Sequence, residues 1–268
     1  MHLSIVIVSF NARADLANCL DSLLQHPPER SHEVIVVDNA STDGCADEAE
    51  RRAGIRVIRS ATNVGFAAAN NIGIRASLGT NVLLLNSDTI VPPGAIDGLL
   101  KRLAEEPDVA VIGPRLVDGR GRVELSFGDM LTPWSEWRRR RLARALDHND
   151  PAAVAEVERR TAHEHRPDWV TGACLLVRRA DADAVGLLDE RYFMYTEDVD
   201  FCASIRARGR QALFTPAVDV MHLRGRSAAT ATAATRAAYE QSHLAFYRKH
   251  HPLVAPLLRL VRALSTRP

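Results

Sequence analysis

Residues 3–9 read LSIVIVS, residues 14–25 read ADLANCLDSLLQ, and residues 33–37 read EVIVV. The two outer runs are short, apolar and rich in β-branched residues, as strands buried on both faces are. Between them Leu16, Cys19, Leu20, Leu23 and Leu24 recur at helical spacing and lay one apolar stripe along a helix. The rhythm continues outward. NASTDGCADEAERR at 39–52 leads cap-type residues into a charged helix, and further strand-like runs stand at 55–58, 81–85 and 109–113. Strand alternating with helix predicts an α/β fold, a Rossmann-like mostly parallel sheet with helices on both faces.

The chain has 268 residues, within range for one large α/β unit, and 46% of them are hydrophobic, enough for a substantial core. Its formal net charge is +1, from 34 basic and 33 acidic residues, so no overall charge draws it to nucleic acid. Cys19, Cys45, Cys174 and Cys202 are far apart and form no CxxC pair, which argues against a zinc or disulfide framework. The opening MHLSIVIVSFN has no basic segment before its apolar run, and that run is too short for a signal or a membrane span. A cytoplasmic location is the expectation.

The turns after the strands contain neither GxGxxG nor GxxxxGK[ST], so the two common phosphate-cradling loops are missing. Ligands of open α/β sheets sit beyond the carboxyl ends of the strands. Here those ends carry Ser9-Phe10-Asn11, Asp38-Asn39 and Asn86-Ser87-Asp88. By position Asp38 serves equally as an Asx turn or helix cap, or as a carboxylate that accepts a hydrogen bond from a base or ribose. In LLLNSDT at 83–89 an apolar strand breaks off into Asp88, a carboxylate able to ligate a cation bound to a diphosphate. A helix cap would explain Asp88 too, although Pro92 and Pro93 already mark the next helix start. His222, in VMHLRGRS, is a second candidate ligand; Arg224 and Arg226 beside it suit phosphate oxygens. Finally, FMYTEDVDFC at 193–202 sets Glu197, Asp198 and Asp200 among aromatic residues, where unpartnered carboxylates are costly.

Together VSFN at 8–11, DNASTDG at 38–44, NVGFAAANNIG at 63–73, NSDT at 86–89, WVTGACLLVRR at 169–179, FMYTEDVDFC and HLRGRS resemble the family 2 glycosyltransferases of the GT-A fold. The pattern is most similar to bacterial rhamnosyltransferases that use dTDP-rhamnose for cell-wall linkers and surface polysaccharides. Composition and pattern set apart an Arg-rich helical or mobile insert at 129–168 and C-terminal amphipathic helices at 231–268, which the resemblance does not cover; the resemblance implies a nucleotide-sugar-binding half at 1–128 and an acceptor and catalytic half of the same domain at 169–230. It implies that Asp38 binds the pyrimidine with Phe10 stacked near it, flanked by Ser9 and Asn11. Asn63, Gly65 and Asn70 would lie beneath the sugar nucleotide. Asp88 matches the last acid of the DxD metal motif, whose first acid is Asn86 here, and His222 would complete a site for Mg2+ or Mn2+. Arg224 and Arg226 would face the diphosphate. Glu197 and Asp198 match the acceptor-site pair whose Asp is the catalytic base, while Asp200 reads as a first-turn helix acid. Trp169, Gly172 and Tyr195 are assigned to the acceptor, although core packing explains the aromatics nearly as well.

The implied reaction is an inverting transfer to a saccharide or polyprenyl-diphosphate-linked acceptor. A UDP-sugar donor and a catalytically silent sugar-nucleotide-binding protein are the alternatives; Asp88, Asp198 and His222 together speak against the silent one. A nucleotidyltransferase would want a basic glycine-rich loop, which VSFNARADL does not provide. Two stretches point to a membrane. RRRR at 138–141 follows Trp134 and Trp137 and suits either a solvated helix face or anionic headgroups at the inner face of the cell membrane. PLLRLVRALSTRP at 256–268 reads as an interfacial helix, or as one docked on the core or on a second copy in a homodimer.

Overall fold

In the computed structural model, which describes residues 1–223 and 233–258, eight strands form the continuous path of a nine-stranded sheet. The first four are β1 (Leu3–Ser9), β2 (His32–Asp38), β3 (Ile55–Arg59) and β4 (Asn81–Asn86), all parallel, in the order β3-β2-β1-β4. Every residue of β1 is buried, as its unbroken apolar run requires of a central strand. Beyond β4 the order continues through β10 (Cys174–Arg178), β6 (Val109–Val117), β11 (Gln211–His222) and β5 (Thr89–Ile90). Strand β7 (Val123–Glu124) pairs with β6, and β8 (Phe127–Gly128) with β9 (Trp169–Val170) in a separate ribbon.

Strand β10 runs antiparallel to both β4 and β6. A segment from the second half of the chain is therefore the strand that joins the two parallel groups of the sheet. The sequence placed WVTGACLLVRR in a following half; the structure uses its apolar run to fill the centre of the first.

Helices cover both faces. Apolar residues of α1 (Arg13–Gln25), α2 (Cys45–Glu50) and α4 (Ala95–Glu105) join one core cluster, and those of α3 (Phe66–Ala76), α8 (Glu197–Ala207) and α9 (Ala233–His250) join the other. Helix α3 approaches the sheet closely. A Cβ on its Gly73 would lie 2.3 Å from Val6 Cγ1, so the small residues of NVGFAAANNIG are there for packing. The Arg-rich insert forms α5 (Pro133–Asp147), opened by Thr132 in a capping box with Ser135, and α6 (Pro151–Thr161), capped by Asp150. Short α7 (Arg179–Ala184) follows β10. No helix among the described residues is long and apolar enough to cross a membrane.

Candidate active site

Parallel strands β1, β2 and β4 end on one edge of the sheet, and the loops that follow them are tied to one another. Asn11, with φ +49°, accepts a hydrogen bond from Thr42 N at 2.8 Å and gives its own N–H to Ser41 Oγ at 3.0 Å. Asp38 is buried; its Oδ2 accepts from Ser41 N at 3.3 Å, while its Oδ1 has no partner within the protein. An orphaned buried carboxylate oxygen at a strand end is an invitation to a ligand N–H. Phe10, 46% exposed, stands at the same edge.

Asn39, which the sequence reading passed over, organises the next loop. Its Nδ2 donates to Asn63 Oδ1 at 2.8 Å and its Oδ1 accepts from Val64 N at 2.9 Å. Asn63 Oδ1 also accepts from Gly65 N at 3.0 Å. Gly65 has φ +88°, and a Cβ there would fall 2.5 Å from Phe193 O, so only glycine lets the chain pass. Phe66 N then donates to that same Phe193 carbonyl at 2.7 Å. The strand-end loops are thereby coupled to the segment that leads into α8.

That segment is strained. Tyr195 and Thr196 both have positive φ, +69° and +67°, immediately before the first helical residue, Glu197. Such backbone persists where surrounding contacts over-determine it, and it clusters at functional sites. Asp198 is held by two backbone donors, Gly172 N to Oδ2 at 2.9 Å and Val199 N to Oδ1 at 2.8 Å. Gly172 precedes Ala173, whose carbonyl accepts from Asn86 N at 2.9 Å. The path Asn86–Ala173–Gly172–Asp198 therefore brings the β4 end and the α8 start together. Glu197 is buried beside Asp198 and its Oε2 has no partner. Burial, reinforced by the Asp198 charge, pushes the Glu197 carboxyl well above the ordinary range.

On the other side of Asn86, His222 sits between two carboxylates. Its Nε2 lies 3.3 Å from Asp88 Oδ1 and its Nδ1 3.2 Å from Glu124 Oε2. Burial alone would lower its pKa; the hydrogen bonds to Asp88 and Glu124 outweigh burial and lift it to about 9. Pairing of β5 with β11 places His222 opposite Thr89, and Leu223 N donates to Asp88 O at 2.8 Å. Asn86 Oδ1 is buried and unpartnered. Glu124 had no periodic signal in the sequence, since β7 is two residues long.

Several expected site residues sit elsewhere. Trp169 is core: it is buried, donates from Nε1 to Asp129 O at 2.9 Å, and carries Arg139 over its ring at 4.8 Å, so no sugar reaches its face. Ser9 is fully buried and donates to Cys45 Sγ at 3.2 Å. Asn70 is buried on α3 with its Nδ2 on Phe66 O at 3.0 Å. Asp200 is more than a first-turn acid. It is buried and takes Tyr192 Oη at 3.1 Å, Lys249 Nζ at 2.8 Å and His250 Nε2 at 2.6 Å, which fastens α9 to α8. Arg224 and Arg226 lie outside the described residues, as does most of the 256–268 tail.

Residues 4–156 match the family model for glycosyl transferase family 2. The chain belongs to that family. It is 31% identical over 262 residues to the N-acetylglucosaminyl-diphospho-decaprenol L-rhamnosyltransferase of Mycobacterium tuberculosis (strain CDC 1551 / Oshkosh), covering 93% of this chain and 85% of that one. Among solved structures, a Pyrobaculum calidifontis mannosyltransferase in complex with GDP-Man and Mn2+ superposes with a TM-score of 0.64 at 19% identity, over 96% of this chain and 68% of that one. GalNAc-T7 with UDP, GalNAc and Mn2+ gives 0.63 at 17% identity, over 83% and 44%. The shared architecture is the GT-A fold of glycosyltransferases, and the enzyme is a glycosyltransferase.

Proposed function

We propose that this glycosyltransferase moves rhamnose, with inversion, from dTDP-rhamnose to an N-acetylglucosaminyl-diphospho-polyprenol, a step of cell-wall assembly at the inner face of the cell membrane. The carrying observation is the Asn86–Ala173–Gly172–Asp198 path, which sets a carboxylate fixed by two backbone donors beside the strand end that bears Asp88. The similarity to the mycobacterial rhamnosyltransferase along nearly the whole chain supports the choice of donor and acceptor.

In this reading Asp38 Oδ1 takes the thymine N–H and Phe10 lies against the base. Asp198 is the general base. It removes the proton from the acceptor hydroxyl as that oxygen attacks the anomeric carbon; the bond to the diphosphate breaks and the nucleotide leaves with its electron pair. The proton ends on Asp198. Burial favours the neutral form of Glu197, and in that form it would add no second anion where the proton must be collected. Tyr195, 42% exposed, borders the acceptor.

A divalent cation, Mg2+ or Mn2+, belongs to the same reading. The Asp88 carboxylate, the His222 imidazole and the unpartnered Asn86 carbonyl are a donor set that fits either ion. No group of three His, Cys, Asp or Glu side chains among the described residues is arranged to hold a metal, so donor oxygens must complete the coordination. Bound there, the ion would neutralise charge on the departing diphosphate. His222 would have to give up its proton to ligate.

The test is a transfer assay with dTDP-rhamnose and N-acetylglucosaminyl-diphospho-polyprenol, with each cation and with chelator, and with NMR of the product's anomeric centre. Cation-dependent formation of a disaccharide lipid with inverted configuration supports the proposal. Transfer from a UDP-sugar but not from dTDP-rhamnose overturns the donor; no transfer to the lipid, with transfer to a free saccharide, overturns the acceptor.

A further inference from the structure

Helix α5 has no buried residue, although it is fifteen residues long. Among its exposed residues Trp134, Trp137, Arg138, Arg141 and Arg144 stand at positions i, i+3, i+4, i+7 and i+10, and hence on one stripe. Trp134 is 65% and Trp137 50% exposed, and the two indoles stack on each other with centroids 4.9 Å apart. Two exposed, stacked tryptophans are a large apolar area to leave in water. Both acids of α5 lie off this stripe. Half-buried Glu136 is paired with His243 at 2.6 Å and Asp147 stands at the far end.

The surroundings extend the surface. His251 Nε2 lies 2.7 Å from Leu131 O, which ties the segment after α9 to the start of α5. That segment exposes Leu253, at 94%, and Leu257. Inward, Arg139 of α5 lies over Trp169, three residues before the Gly172 that holds Asp198.

We infer that the Trp134–Trp137–Arg138–Arg141–Arg144 stripe of α5 docks the enzyme on an anionic phospholipid bilayer, with the tryptophans at headgroup depth and the arginines on lipid phosphates. Tryptophan prefers that interface, and each basic residue near an anionic surface strengthens partitioning roughly fivefold. The inference rests on the lipid-linked acceptor of the proposed function for its purpose, since α5 would set the Asp198 side of the cleft at the level where a polyprenyl diphosphate emerges. Its physical basis is independent of which sugar moves.

The test is flotation of the whole chain with phosphatidylglycerol-containing vesicles and with pure phosphatidylcholine vesicles. The wild type is compared with Trp134→Ala/Trp137→Ala and with Arg141→Glu/Arg144→Glu. The wild type should float with the anionic vesicles only, and more weakly as salt rises. The charge variant should lose on the order of 20-fold in partitioning, and the tryptophan variant about tenfold or more. Circular dichroism and transfer to a water-soluble acceptor should match wild type for both. A wild type that ignores anionic vesicles, or binds neutral ones equally, overturns the inference. Variants that bind like wild type overturn the assignment to α5, and a dimer that the tryptophan variant splits makes the stripe an interface between copies instead. Vesicle binding without any rhamnosyl transfer would refute the substrate reading and leave the docking surface standing.

Discussion

Two clusters of charged residues stand at the end of β11 and the start of α8, and burial shifts the pKa of His222 and of Glu197 in opposite directions. At the end of β11, His222 lies between Asp88 and Glu124, and opposite charges overcome burial to keep the imidazole protonated. At the start of α8, Glu197 and Asp198 are like charges; burial and repulsion act together and push the Glu197 carboxyl well above its ordinary range. One side is thus a cation among anions, able to exchange its proton for a metal or to meet phosphate oxygens directly. The other carries the Asp198 carboxylate, fixed by Gly172 and Val199, beside a carboxyl that burial makes harder to ionise. A glycosyl transfer develops negative charge on its leaving group and releases a proton at its nucleophile. In the proposed reaction the His222 cluster would meet the first demand and Asp198 the second.

The largest effect should come from the acceptor side. Asp198→Asn keeps the shape and removes the base, and kcat should fall about 10³-fold while calorimetric binding of the nucleotide-sugar is unchanged. A variant that keeps its rate would move the base elsewhere and dissolve the contrast. On the opposite side, Asp88→Ala should reduce kcat/KM roughly 100-fold. There the loss should appear in cation-dependent donor binding, which Asp198→Asn leaves intact. If both variants fail in the same assay, the two clusters are not functionally distinct.

The contrast was only partly legible in the sequence. The parallel run β3-β2-β1-β4 follows from short apolar runs, because strands buried on both faces carry no other pattern. Asp88, His222, Glu197 and Asp198 stood out as polar residues at the ends of apolar segments. What joins them was hidden in long-range pairing. Strand β10 enters the middle of the sheet from ninety residues away in sequence, on the order of a third of the chain, and only that entry brings Gly172 to Asp198. Glu124 and Asn39 act through contacts that no periodicity announces. Sequence alone left Trp169 open between acceptor and core; its burial and its place in the β8–β9 ribbon make it core.

Smaller effects should sharpen the picture. Asn39→Ala removes the three hydrogen bonds that shape the 63–65 loop and through Gly65 reach Phe193. It should raise the KM for donor about tenfold, with kcat less affected. Glu197→Gln is a near-isostere of the neutral carboxyl that burial favours, and should change kcat less than about fivefold. A loss as deep as that of Asp198→Asn would mean Glu197 is ionised during turnover, and the electrostatic distinction between the two clusters would fail.

A third cluster supports the acceptor side from behind and should affect stability instead of rate. Asp189 takes Arg191 and Lys249, which also reaches Asp200, and so links the loop before α8 to the end of α9. The Arg191 guanidinium, helped by Lys249, holds the Asp189 carboxyl well below the usual carboxylate range. A carboxyl whose folded pKa is depressed binds its proton more readily in the unfolded chain. Its stabilisation is therefore complete above the unfolded value of about 3.9 and drains away as pH falls from there towards the lower, folded value. The urea midpoint of the wild type should be flat in this contribution near neutrality and fall below about pH 4. Asp189→Asn should unfold a few degrees lower at pH 7, by roughly 2–4 °C, and should lose part of that acid-side slope. Its kcat should stay near wild type, because none of these groups faces the two clusters. An equal acid slope in Asp189→Asn and wild type would place the acid sensitivity in other carboxylates, and a large fall in kcat would mean that α9 positions Asp198 through Asp200 after all.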